Sequence, residues 1–313
     1  MPPLRLFSGD ANLPLAEKVA ELLDLPLGTL RITHLPDTEV HVLIEECVRG
    51  LDVFIMQSCS APVNQNVMEL FLLIDAFRRA SASSITVVVP YFPYTRQERM
   101  ARGREAISAR VVATILEAMG ASRVIYMDVH SPAIQGFFQI PVDPLSAVPT
   151  LAEYFSQDGR FEHGAIVAPD TGRAKLAAKY AEILRLPLVI MEKRREGSTV
   201  RVTHIVGDVR DRVPIIIDDV IASGSVLDEV PALLQAGARP EVYLSITHPV
   251  LVGRALEKLR DPVIRELVVT DTIYLPPEKH SEKIRVVSIA PLLAQVIRRI
   301  HDGQTISPLL RLV

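Results

Sequence analysis

Val213-Pro-Ile-Ile-Ile-Asp-Asp-Val-Ile-Ala-Ser-Gly-Ser-Val226 begins with an apolar, mostly β-branched run that includes three consecutive isoleucines. Such a run predicts a strand buried on both faces, as in a parallel sheet covered by helices. It leads into a carboxylate pair, Asp218 and Asp219, and then a loop of small residues, Ala222-Ser-Gly-Ser225. A helical stretch is expected from Leu227 to Ala236, stopped by Gly237. Ligands of open α/β sheets bind beyond the carboxyl ends of the strands, where this loop lies. Backbone N–H groups of small residues curl around anions, and a helix N-terminus adds positive potential. The acids suit sugar hydroxyls or a hydrated Mg²⁺. The stretch therefore reads as a cradle for a sugar phosphate, or as an ordinary strand–turn–helix corner with a serine cap.

On both sides of this stretch, β runs alternate with amphipathic helices, the pattern of an α/β protein with a mostly parallel sheet. Strands are expected at 4–7, 52–57, 85–89 and 124–127, with helices at 13–23 and across 107–119. Val67, Leu70, Phe71, Ile74 and Phe77 recur at helical spacing. Pro141 to Gly164 changes character, and a domain boundary is expected at its start. The alternation then resumes, with strands at 165–168, 188–191, 213–217, 241–246 and 266–270 and helices at 173–184, 227–236 and 291–300. Residues 194–206 read as a charged loop.

The chain has 313 residues, enough for two domains, and its 49% hydrophobic content is that of a globular protein. A net charge of −3 gives no electrostatic reason to expect nucleic acid. Cys47 and Cys59 are too few for a disulfide framework or a zinc site. The N-terminus lacks the apolar core of a signal peptide, and no apolar run is long enough to span a bilayer. A cytoplasmic protein without a membrane partner is expected.

Several polar constellations fall at strand ends. Arg96 and Arg99 offer planar forks for phosphate oxygens, and Gln97 offers a donor and an acceptor for a base edge, although a salt-bridged surface turn has the same composition. His130, with Asp128 as a candidate to orient its ring, suits a metal or a phosphate, or a structural role. Asp170 suits Mg²⁺ or caps the helix that follows. Lys193-Arg-Arg195 opens the charged segment, where cations on a loop neutralise charge during phosphoryl transfer or simply face solvent. Asp37 and Glu39 add acids near a strand start. Together these groups form the inventory of Mg²⁺-dependent transfer between phosphorylated substrates.

Over nearly its whole length the chain resembles the ribose-phosphate pyrophosphokinase (PRPP synthetase) family. The resemblance is carried by Asn64-Gln-Asn-Val-Met-Glu-Leu70, Pro90-Tyr-Phe-Pro-Tyr-Thr-Arg-Gln-Glu-Arg99 and Asp128-Val-His-Ser-Pro-Ala-Ile-Gln-Gly-Phe-Phe138 with Pro141-Val-Asp143. Lys193-Arg-Arg195, Asp218-Asp219, Thr247-His-Pro-Val-Leu251 and Val269-Thr-Asp-Thr-Ile273 extend it. It implies two phosphoribosyltransferase-type α/β domains, 1–143 and 144–290, with a last helix at about 291–313 packing back on the first. It implies transfer of the diphosphoryl group of ATP to the 1-hydroxyl of ribose 5-phosphate, giving PRPP and AMP, in a homo-oligomer, by family a hexamer. By matching position, Asp37, Glu39, Arg96 and Gln97 would bind ATP, and His130 and Asp170 would hold Mg²⁺. Lys193 and Arg195 would be catalytic. Asp218, Asp219 and the loop Ala222, Ser223, Gly224, Ser225 and Val226 would bind ribose 5-phosphate.

The chain departs from the family pattern at a few positions. Ala222 replaces the third acid of the phosphate loop and Val226 its final threonine, Leu35 replaces an aromatic residue, Thr38 a glycine and Met100 a lysine. A second reading is therefore a catalytically weak or inactive regulatory subunit.

Overall fold

The computed structural model describes residues 2–159, 161–196 and 199–310, with backbone alone at 158, 194–196 and 199–202. The apolar runs become strands and the 3.6-period stretches become helices. In chain order the first part is β1 (Leu4–Ser8), α1 (Leu13–Leu22), β2 (Leu30–His34), β3 (Val40–Ile44), β4 (Asp52–Met56), α2 (Val63–Arg79) and β5 (Ser84–Val89). It continues with α3 (Ser108–Met119), β6 (Arg123–Met127) and β7 (Val142–Leu145). The second part is α4 (Val148–Ser156), β8 (Gly164–Ala168), α5 (Ala174–Leu184), β9 (Leu188–Glu196), β10 (Thr199–Val206), β11 (Val213–Ile221) and α6 (Val230–Gln235). Then follow β12 (Val242–Pro249), α7 (Ala255–Lys258), β13 (Ile264–Thr270), β14 (Ile284–Val287) and α8 (Ala290–His301).

The first sheet has the order β1-β4-β5-β6-β7 and is parallel throughout. The second runs β10-β9-β8-β11-β12-β13-β14, parallel except for β10 against β9. The period of two sorts side chains onto faces. Phe54 and Met56 of β4 point into a core shared by both sheets, while Val53 and Ile55 join α2 and α3 on the other side. In β11, Ile215 and Ile217 face the same shared core and Ile216 faces α6 and α7. Helices α1, α4, α5 and α8 fill the shared core with Leu15, Leu151, Tyr180 and Ile297. Helix α8 lies on α1: Arg298 donates to the Leu23 carbonyl, and His301 Nδ1 lies 2.8 Å from Asp52 of β4. Among the described residues no helix is long and apolar enough to cross a membrane.

Several features differ from the sequence reading. The expected charged loop at 194–206 is mostly an antiparallel ribbon, β9 with β10, because ladder bonding uses the backbone and edge strands tolerate charge. Strand β11 runs on to Ile221, so Asp218 and Asp219 lie inside it, with Asp218 beside Ile246 of β12. The helix expected at 227–236 is a 3₁₀ turn, Ser225–Glu229, followed by the short α6. Strands β2, β7 and β14 were not expected, and β3 only as a strand start near Asp37 and Glu39. The anticipated division at 143/144 falls within β7, and we propose that the two α/β units part just after Leu145.

A buried polar seam joins the units. Asp128 Oδ2 accepts from Ala147 N and from Thr247 Oγ1, each at 2.8 Å. His248 Nε2 lies 3.2 and 3.1 Å from the carbonyls of Met127 and Asp128, so Nε2 carries the hydrogen. Its Nδ1 lies 2.9 Å from Thr272 Oγ1. Burial pushes the His248 pKa down and keeps the ring neutral. Asn12 donates to the Asp271 carbonyl at 2.8 Å, and Ser58 to that of Thr272 at 2.6 Å. Thr247→Val, which keeps the shape but removes the hydroxyl from a carboxylate, is expected to cost about 1.5–3 kcal/mol in urea unfolding, with Thr247→Ser recovering most of it.

Candidate functional site

Strands β6, β8 and β11 end on one side of the molecule, where they bring together His130, Asp170, Asp218 and Asp219. Asp219 is 4% exposed, and two adjacent carboxylates at such a depth require compensation. Arg173 supplies it: Nε lies 2.9 Å from Asp218 Oδ1 and Nη2 lies 3.0 Å from Asp219 Oδ1. His130 Nδ1 lies 3.0 Å from Asp219 Oδ2, and Arg173 Nη2 also meets this ring nitrogen. A bond to the carboxylate needs Nδ1–H, whereas a bond from the guanidinium needs its lone pair, so the two are mutually exclusive. Burial and the Asp219 charge push Asp218 well above the usual carboxylate range. Burial opposes ionisation of Asp219 too, but the His130 bond and the Arg173 charge outweigh it and hold that group far below the usual range.

Asp170 begins the 3₁₀ turn after β8 and accepts from Arg173 N at 3.1 Å. Its other oxygen lies 3.9 Å from Lys193 Nζ. Lys193, on β9, makes a tighter ion pair with Glu229. Glu229 is 6% exposed, and burial drives its pKa up to about 7 against the pull of Lys193. The Arg195 side chain lies outside the described residues.

The loop Ala222-Ser-Gly-Ser-Val226 leaves the end of β11. The backbone N–H groups of Ser223, Gly224 and Ser225 donate to no acceptor among the described residues. Gly224 has φ +74°, and a Cβ there would lie 3.0 Å from the Ala255 backbone, so the turn requires glycine. Ser223 and Ser225 are exposed, whereas Val226 packs into the core with Leu227 and Leu233. α6 has six residues, too short to supply the helix dipole expected there, so the loop's own N–H groups carry the anion-binding capacity.

Arg96 is exposed and close enough to Tyr91 to lower its pKa against the larger effect of burial, and Tyr91 in turn feels Asp219. Tyr91 meets the His248 ring edge-on at 5.1 Å. Gln97 Oε1 accepts from Ser108 Oγ at 2.7 Å, which leaves its amide N–H₂ for a ligand. Asp37 and Glu39 lie in the exposed turn of the β2–β3 hairpin, where Asp37 Oδ1 accepts from Glu39 N at 3.2 Å. They make no contact with the carboxylate cluster. A cavity of about 380 Å³ opens beside that cluster between His130, Gln135, Arg173, Lys175, Lys179 and Asp219.

Asp128 was a candidate to orient His130 but is committed to the seam, and Asp219 holds the ring instead. Arg173 and Glu229 were missed. The signal for Arg173 was its place directly after Asp170-Thr-Gly172; Glu229 reads in sequence as an ordinary first-turn acid.

Residues 4–120 match the family described as the N-terminal domain of ribose phosphate pyrophosphokinase, and residues 199–311 match the phosphoribosyl synthetase-associated domain. The ribose-phosphate pyrophosphokinase of Clostridium tetani is 44% identical over 310 residues, covering 98% of this chain and 97% of the relative. That of Bacillus subtilis is 45% identical over 306 residues, covering 97% and 96%. The crystal structure of phosphoribosylpyrophosphate synthetase from Mycobacterium smegmatis superimposes with a TM-score of 0.90 at 38% identity, covering 96% of this chain and 99% of that one. With these likenesses running the length of the chain, over two parallel sheets whose strand ends gather the acids, the histidine and the basic groups of the site, the chain belongs to the ribose-phosphate pyrophosphokinase family of diphosphotransferases.

Proposed function

We propose that this chain transfers the β,γ-diphosphoryl group of ATP to the 1-hydroxyl of ribose 5-phosphate in the cytoplasm, giving PRPP and AMP. The observation that carries the residue assignment is the unbroken chain of polar contacts from Lys193 through Asp170 and Arg173 to Asp218, Asp219 and His130, bordered by an anion-binding loop. The loop 222–226 would hold the 5-phosphate through backbone N–H groups, with Ser223 and Ser225 adding hydroxyls. Asp218, the less committed member of the acid pair, would accept from the ribose hydroxyls. Asp219 positions Arg173 and His130. Arg96 and Gln97 would bind the nucleotide, and Asp37 and Glu39 its adenosine part in a homo-oligomer, a hexamer by the family resemblance.

The 1-hydroxyl oxygen attacks the β-phosphorus in line and gives up its proton to solvent, the bond between that phosphorus and the α,β-bridging oxygen breaks, and AMP departs with the bridging oxygen. Lys193 and Arg195 would neutralise charge on the transferring group, Lys193 by leaving Glu229. His130 and Asp170, one nitrogen and one carboxylate donor on the rim of the cluster, would hold Mg²⁺. When bound, Mg²⁺ would neutralise phosphate charge and orient the β-phosphorus. The regulatory-subunit reading raised by Ala222 and Val226 is not favoured, since a backbone cradle depends on neither side chain.

Lys193→Ala is expected to lower kcat for ribose-5-phosphate-dependent AMP release by about 100-fold or more, with KM for ATP moving within about threefold. An unchanged kcat would remove Lys193 from the chemistry. The Glu229 carboxyl, raised to about 7 in the folded state, contributes stability that is complete below its unfolded value and lost as the pH rises through 7. Glu229→Gln lacks that loss, so its melting temperature relative to the parent should climb between pH 5 and 8. A flat difference would show that Glu229 titrates as an ordinary acid.

A further inference from the structure

Beside the N-terminal half of α2, three groups that the proposed reaction does not use converge. They are Asp10 just after β1, His34 at the end of β2, and Glu69 in α2. Their nearest ligand atoms all lie within 4.8 Å of one another: His34 Nε2 is 3.2 Å from Asp10 Oδ2 and 3.9 Å from Glu69 Oε2. Ligands of one ion at about 2.0–2.2 Å stand about 3–4 Å apart, so small side-chain shifts would close the set around a metal.

Glu69 gives the strongest indication. Its side chain is 0% exposed, and one oxygen, Oε1, is held by Gln57 Nε2 at 2.6 Å and Asp10 N at 2.8 Å. The other, Oε2, is buried, has no hydrogen-bond partner among the described residues and faces His34. A carboxylate oxygen in that condition costs free energy unless a cation or donor meets it. Burial, with the Asp10 charge adding to it, pushes the Glu69 pKa up; a cation would reverse that shift. The backbone is shaped to this approach, since a Cβ at Gly9 would fall 2.5 Å from Glu69 Oε1. The far nitrogen of the imidazole is also engaged, His34 Nδ1 lying 3.0 Å from the Gln65 amide. Turning that amide over presents Oε1 to Nδ1–H and frees the Nε2 lone pair for a metal, the arrangement by which outer partners fix a ligating histidine. Asp10 and His34 are partly exposed, which leaves an entry path.

We propose that Asp10, His34 and Glu69 form a site for a divalent ion of the Zn²⁺ class, with water completing the coordination. One imidazole and two carboxylates, all from the protein and with no substrate phosphate to share, favour such an ion over Mg²⁺, which is held mainly through substrate phosphates and water. Because His34 lies three residues before Asp37, the bound ion would pin the β2–β3 hairpin, and its acidic turn, against β1 and α2.

The test is titration of the chelator-treated full-length protein with Co²⁺ in excess Mg²⁺, followed by visible absorption and calorimetry, with Zn²⁺ as competitor. His130→Ala serves as a second background that removes binding at the transfer site. The expected result is one Co²⁺ per chain in both backgrounds, displaced by Zn²⁺. Affinity should fall at least tenfold in His34→Ala and in Asp10→Asn, and 10- to 100-fold in Gln65→Leu. These substitutions lie at partly exposed or outer positions, so the readout does not depend on a Glu69 variant folding. Absence of Co²⁺ binding in the His130→Ala background, or binding unchanged by His34→Ala, would overturn the site.

Discussion

Two adjacent carboxylates near the carboxyl end of a central strand impose the constraint on which this structure turns. Asp218 and Asp219 sit in β11 between β8 and β12, where water reaches them poorly. Left alone they would repel each other and remain largely protonated. The guanidinium of Arg173 meets both, and His130, arriving from the other α/β unit, takes the remaining oxygen of Asp219. The charge balance of the site therefore depends on the two units staying docked. The buried seam of Asp128, Thr247, His248 and Thr272, together with α8 lying across α1, keeps them so.

The same constraint explains how the site can respond to substrates. Arg173 and Lys193 are both paired with carboxylates, so the cluster is close to internally neutralised. Phosphate groups entering it compete for cations already in place, and the pairs with Asp218 and Glu229 are the ones a ligand can exchange. Positioned charge of this kind, with little covalent chemistry from the protein, is what phosphoryl-group transfer requires.

Much of this was legible in the sequence where one physical signal dominated. Strands β4, β5 and the first half of β11 are covered on both faces and read as largely apolar runs. The β2–β3 hairpin has alternating, half-exposed positions and no long apolar run. The β9–β10 ribbon carries charge along a sheet edge and so resembles a loop. Strand β7 is four residues with a proline, weak in every local signal. In the site, acids at strand ends stood out because topology alone places them at a ligand crevice. Arg173 and Glu229 did not, because their roles come from partners distant in the chain: His130 for one, Lys193 for the other. The same holds for Asp10, His34 and Glu69, which the fold brings together from separate elements.

The most direct test of the account is ³¹P NMR of the wild-type protein with Mg²⁺-ATP and ribose 5-phosphate. The account predicts equal accumulation of PRPP and AMP, with no ADP and no product when the sugar phosphate is withheld. Formation of ADP, or AMP with free pyrophosphate in place of PRPP, would contradict diphosphoryl transfer at this site.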